Sequence, residues 1–163
     1  MESPFQYIFK MQDMAPTRKT PGGEVRIVDS RNFPVSKNVA AALVSIKPGA
    51  LRELHWHPNA SEWQFWIQGQ GRMTIVMPEG KARTMDFNAN DVGFVPRVAG
   101  HYIENTGEID AVFLEMLKAD EFIDVSLNNW IRRLPPEMAN SHLNLEHELI
   151  AKIPSEKLLV IPG

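Results

Sequence analysis

The segment Gly49 to Gly69, GALRELHWHPNASEWQFWIQG, sets His55 and His57 two residues apart, follows them with a Pro58-Asn59 turn and then presents Glu62. Residues i and i+2 of a β-strand point to one face, so both imidazoles can address a single ion. A hairpin after Pro58-Asn59 is expected to bring Glu62 back beside them as a carboxylate ligand. A fourth ligand has to come from a later strand. The stretch DVGFVPRVAGHYIENTG, Asp91 to Gly107, supplies His101 in a β-rich run bracketed by turn residues. Three nitrogens and one oxygen around a six-coordinate ion leave two positions for a small carboxylate, water or dioxygen. These donors suit Mn²⁺, Fe²⁺, Co²⁺, Ni²⁺ or Zn²⁺ and do not choose among them.

Such ligands need a rigid, dry wall behind them. From Glu24 to Lys118 short apolar or alternating runs recur between turn signals: VRIVDS, AAALVSIKPG, WQFWIQGQG, RMTIVMPEG, ARTMDFNANDVGFVP, GHYIENTG and AVFLEML. Regular short strands of this kind predict an all-β sandwich or barrel. The interior of a small closed barrel is filled and can hold ligands on facing strands. After Ser126 the spacing of apolar residues changes to three and four, predicting short helices, with Pro135-Pro136 opening the second. The expected division is an irregular N-terminal arm over 1–23, the β-barrel over 24–125 and a helical segment with its tail over 126–163.

A chain of 163 residues is long enough for one core. Its formal charge of −3, without a Lys/Arg run, argues against nucleic acid and membrane surfaces as partners. Cysteine is absent, so disulfides and thiolate ligands play no part. The opening MESPFQYIFKMQDM has no apolar core of signal-peptide length, which makes cytoplasmic residence the expectation. The arm, together with Trp130, Leu134, Leu143 and Leu145, offers apolar surface beyond what one barrel covers, so a homo-oligomer is expected.

The two ligand-bearing segments resemble the two motifs of the cupin superfamily. The first matches throughout: Gly49, five residues, His55, one residue, His57, four residues, Glu62, six residues, Gly69. The second matches at Pro96, His101 and Asn105 but carries Asn90 and Val98 where the family pattern has glycine. RELHWHPN, ARTMDF, DVGFVP, GHYIENTG and DVSLNNW further resemble the oxalate decarboxylases, most closely their C-terminal cupin domain, from about Gly22 to about Leu145. The resemblance implies a cupin double-stranded β-helix, or jelly-roll barrel, here as a single domain where those enzymes usually carry two.

It also implies manganese as the metal, oxalate as the substrate and dioxygen as co-catalyst, with formate and CO2 as products. Arg52 matches an arginine that pairs with substrate, and a permanently charged guanidinium can fork onto a carboxylate. Strand parity from His55 would turn Arg52 outward and Glu53 inward, so a bulge or irregular entry near Gly49 is required. Glu115 ends the run AVFLE on the side shared with Ala111 and Phe113, where a buried carboxylate needs a partner. It matches an acidic residue near the metal, expected to hydrogen-bond Arg52. Glu121, in KADEFIDVS, falls where the family's active domain carries a mobile lid bearing a glutamate that delivers a proton. Without such a donor the chemistry turns toward an oxalate oxidase. Another oxygen-using cupin enzyme, or a metal-binding cupin without catalysis, stays open as the alternative.

Overall fold

The computed structural model describes residues 6–163, so the first five residues of the expected arm lie outside the described residues. The strands are Arg18–Thr20 (β1), Gly23–Val28 (β2), Ala40–Ile46 (β3), Leu51–Trp56 (β4), Glu62–Gln68 (β5), Gln70–Val76 (β6), Ala82–Asn88 (β7), Val92–Val95 (β8), Gly100–Asn105 (β9), Ala111–Leu117 (β10), Val125–Ser126 (β11) and Val160–Ile161 (β12). Three helices, Leu127–Arg133 (α1), Pro136–Leu143 (α2) and His147–Lys152 (α3), fill the C-terminal segment. Pro136 is the first residue of α2, where its missing N–H costs nothing.

All strand pairs are antiparallel and form two facing sheets, in the orders β1-β2-β3-β10-β5-β8 and β11-β4-β9-β6-β7, with β12 also paired to β4. The alternation read along each run becomes an inside and an outside. In β3, Ala40, Ala42, Val44 and Ile46 are buried, and in β10, Ala111, Phe113, Glu115 and Leu117. Trp66 stacks between Phe87 and Phe113, with ring centroids 5.1 and 4.7 Å away, and fills one end of the interior. Along β5 the inward row runs Glu62, Gln64, Trp66, from the polar end of the barrel to this aromatic plug.

Two expectations change. Glu62 does not return by a hairpin: β4 lies in one sheet and β5 in the other, so residues 57–61 cross between them. A tight hairpin would set the histidines and the carboxylate side by side on one wall, whereas the crossing brings Glu62 in from the other sheet, against His57 and His101. The N-terminal arm is not wholly irregular, because β1 extends the first sheet along β2, and the tail returns as β12 against β4. Strands of two or three residues are too short to show a period, and long-range backbone pairing makes them.

The two departures from family glycines sit at left-handed turns. Asn90 has φ 72° and Val98 φ 60°. Asn tolerates that region, but a β-branched valine does so at a cost of about 1–2 kcal/mol. The Val98 N–H donates to the His57 carbonyl at 3.0 Å, so this turn holds the backbone that presents a ligand. Val98→Gly is expected to stabilise the fold by about 0.5–1 kcal/mol, after the extra freedom of glycine in the unfolded chain is subtracted. Thermal unfolding checks this through a midpoint raised by about 2 °C; a lower midpoint would show that the turn stores no strain.

Candidate metal centre

His55 stands directly opposite His101 in the β4–β9 register, and His57 follows just beyond β4. Each ring is fixed by a backbone carbonyl on one side. Nδ1 of His55 lies 2.6 Å from Glu53 O, Nδ1 of His57 2.8 Å from Ile123 O and Nδ1 of His101 3.0 Å from Ala99 O. A nitrogen facing a carbonyl carries the proton, which leaves each Nε2 to offer its lone pair inward. Glu62 Oε2 lies 2.7 Å from His57 Nε2 and 3.1 Å from His101 Nε2.

The donor atoms of His55, His57, Glu62 and His101 all lie within 4.8 Å of one another. Ligands about 2.1 Å from a common ion sit roughly 3 to 4.2 Å apart, so the cluster fits one ion with modest contraction. His55 Nε2 and His57 Nε2 are buried without an aligned hydrogen bond. Together these four residues can hold one metal ion.

The electrostatics agree with a site built for a cation. Burial and the neighbouring Arg52 charge push the His55 pKa well below its ordinary value, keeping that imidazole neutral. Burial opposes ionisation of Glu62, but His101 and His57 outweigh it and hold the carboxylate ionised. Burial likewise opposes charging of His57, and the Glu62 carboxylate beside it raises its pKa nonetheless.

Arg52 enters the interior through the irregularity its parity demands. The β4–β9 register shifts between Arg52 and His55, inside β4 and beyond Gly49. Arg52 is 0% exposed and donates through Nε to Glu115 Oε1 at 3.3 Å, through Nη1 to Leu159 O at 3.2 Å and through Nη2 to Asp124 Oδ2 at 2.9 Å. Glu53 is buried too, under the C-terminal segment, where it accepts from Ser126 Oγ and the Leu159 N–H. Desolvation raises the Glu115 pKa from 4.5 to about 7, against the pull of Arg52, and its Oε2 is buried without a partner. A carboxyl poised in that range can hold or release a proton near neutrality.

Glu121 stands apart. Its side chain is 40% exposed and pairs with Arg31 at 3.6 Å, outside the ligand cluster. Its segment is pinned at successive residues. The Ser30 N–H bonds Asp120 O, Asn59 Nδ2 bonds Glu121 O, the Phe122 N–H bonds Asp29 Oδ2 and His57 bonds Ile123 O. Phe122, 4% exposed, meets the His57 ring edge-on at 5.2 Å and covers the site with an apolar face. Asp124 is the acid of this loop that turns inward, between Arg52 and Lys157. Strand parity placed Glu53 inward, where it is found, but nothing along the chain singled out Gln64, Asp124 or Lys157. The clue for Gln64 was its place two residues from Glu62 on the inward face of the strand.

Comparison with known proteins decides the family. The Cupin family profile matches residues 9–151. The chain belongs to the cupin family. This cupin is 46% identical over 160 residues to the oxalate decarboxylase OxdC of Bacillus subtilis, covering 98% of this chain and 41% of that protein. It is 47% identical over 158 residues to an oxalate decarboxylase of Arthroderma benhamiae, covering 95% of this chain and 37% of the relative. A solved structure of the Bacillus subtilis enzyme, concerned with its Mn(II) centres, superposes with a TM-score of 0.97 at 45% identity, over 100% of this chain and 43% of that one. The cupin thus spans less than half the length of these relatives.

Proposed function

We propose that this cupin cleaves oxalate to formate and CO2 at a mononuclear manganese site held by His55, His57, Glu62 and His101. The observation that carries the reading is the buried Arg52–Glu115 pair beside a three-histidine, one-carboxylate cluster, in a chain close in sequence to oxalate decarboxylases. Written for hydrogenoxalate, the carbon–carbon bond breaks, one half leaves as CO2 and the proton ends on the carbon of formate, with no net redox change. Bound Mn²⁺ supplies a Lewis-acid anchor for one carboxylate and a reversible one-electron partner, for which dioxygen is the co-catalyst; Fe, Co, Ni or Zn fits the same donors.

The chain's own residues do the rest. Arg52 orients the carboxylate that departs, using N–H groups beyond those given to Glu115, Asp124 and Leu159. Glu115 steadies the guanidinium and holds a proton close to it. Phe122 keeps water from the site. Arg52, Glu115 and the four ligands are each at most 2% exposed, so substrate is admitted by movement of the 120–124 segment. That movement has to open the Arg31–Glu121 pair and the bonds that pin Asp120, Glu121 and Phe122, and it lets Glu121 swing inward as proton donor.

Glu121→Ala is expected to lower formate production by about 10² to 10⁴ while leaving metal content unchanged, as loss of a general acid would. Assay of formate beside metal analysis checks it, and equal formate rates would remove Glu121 from the mechanism. The second reading, an oxalate oxidase, is favoured by the outward position of Glu121; peroxide in place of formate would select it.

Self-association belongs to the same reading. Trp130 is 56% and Leu143 40% exposed on the helical tail. A broader surface is the outer face of the first sheet. There Leu43, Val112, Leu114, Met116 and Phe65 adjoin Trp63, Ile67, Val92 and Phe94, the last four 40–59% exposed. A continuous uncharged sheet face of this kind marks an interface. Light scattering at micromolar concentration is expected to give a dimer or larger; a monomer mass would contradict it.

A further inference from the structure

We propose that Gln64 and Trp66 set the coordination mode of Glu62, so that this carboxylate offers the ion one oxygen, Oε2, while Oε1 is held inside the protein. The proposal rests on the metal-site reading and concerns positioning residues that touch neither ion nor substrate. Glu62, Gln64 and Trp66 form the inward row of β5, and all three are 0% exposed. The indole N–H of Trp66 can only donate, and it donates to Gln64 Oε1 at 3.2 Å. That bond decides the orientation of the amide. With its oxygen toward Trp66, the Gln64 NH2 must face the other way, where it donates to Glu62 Oε1. The flipped amide would put N–H against N–H in a dry interior and leave Glu62 Oε1 unpaired, a costly arrangement.

The row is held from both sides. Trp66 is clamped between Phe87 and Phe113. Opposite Gln64 stands Gly93, where a Cβ would come within 3.0 Å of Gln64 Oε1, so the absence of a side chain there gives the amide its seat. Meanwhile Glu62 Oε2 is the oxygen that approaches His57 Nε2 and His101 Nε2. The two oxygens of one carboxylate therefore have separate tasks. A single-oxygen ligand keeps two of six coordination positions free for a small anion, where a two-oxygen ligand would keep one.

The test uses the full chain, with Mn²⁺ as the probe, comparing wild type, Gln64→Met and Trp66→Phe. Gln64→Met keeps the side-chain length and removes the amide. It is expected to weaken Mn²⁺ affinity by about 10- to 100-fold, measured by chelator competition, and to alter the fine structure of the Mn(II) EPR spectrum. Trp66→Phe touches no ligand, and by freeing the amide it should weaken Mn²⁺ binding in the same direction but less. Gln64→Leu is the substitute if Gln64→Met does not fold, with the same readings expected, since it too lacks the N–H that Glu62 Oε1 accepts. Loss of thermal stability in the metal-free protein, with Mn²⁺ affinity and EPR spectrum unchanged, would give Gln64 a packing role and overturn the proposal. Wild type that binds no Mn²⁺ would instead remove the metal-site reading on which it rests.

Discussion

Arg52→Ala is expected to cost about 3–5 kcal/mol of folding stability, lowering the thermal midpoint by roughly 10 °C, and to reduce oxalate turnover by at least about 10²-fold. Both effects follow from the burial of one guanidinium among acids. Asp124 is 4% and Glu115 0% exposed at the side chain, and each is bonded to Arg52. Burial alone would raise the Asp124 pKa, yet Arg52 and then Lys157 hold it below its ordinary value. Removing the guanidinium strands Glu115 and leaves Asp124 with Lys157 alone. It also removes one of the bonds, through Leu159 O, that hold the C-terminal tail on β4. Arg52→Lys keeps the charge but cannot bond Glu115, Asp124 and Leu159 with one planar fork, so it should fall between wild type and alanine in both measurements. Differential scanning calorimetry beside a formate assay checks the pair of effects. An Arg52→Ala midpoint within about 2 °C of wild type would mean that the buried acids find other partners or are already neutral.

His101→Ala is expected to abolish metal retention and, with it, formate production. The imidazole contributes one of four donors and stands 3.1 Å from Glu62 Oε2, helping to keep that carboxylate ionised. Losing a ligand should exceed the roughly 10- to 100-fold penalty that follows loss of an outer hydrogen bond. Metal analysis after dialysis gives the answer. Full Mn²⁺ retention by His101→Ala would show that the ion sits elsewhere. The contrast with Glu121→Ala, which should keep its metal and lose formate, separates coordination from chemistry.

The parts of the site that could be read along the chain are those with a local period. His55 and His57 share a face because strands alternate, and Glu115 is buried because Ala111 and Phe113 are. Which sheet each strand joins was not legible, since the choice between a hairpin and a crossing at residues 57–61 depends on pairings with β9 and β10 far along the sequence. The inward turn of Arg52 was legible only as a conflict with parity, which a register shift resolves. The same holds for the acidic loop. Asp120, Glu121 and Asp124 are alike as a string, and only the positions of Arg52, Lys157 and Arg31 in space decide that Asp124 faces inward and Glu121 outward. Gln64 was hidden because WQFW reads as apolar filling, whereas its alternate residues face opposite sides of the sheet.

The central claim, oxalate cleavage by this cupin, is tested most directly by ¹³C NMR of labelled oxalate incubated with the manganese-loaded protein in air at mildly acid pH. A formate signal that grows with that of CO2 and bicarbonate, one carbon into each, is the result expected. Loss of oxalate to CO2 alone would replace the decarboxylase with an oxidase, and an oxalate signal that does not change would contradict both.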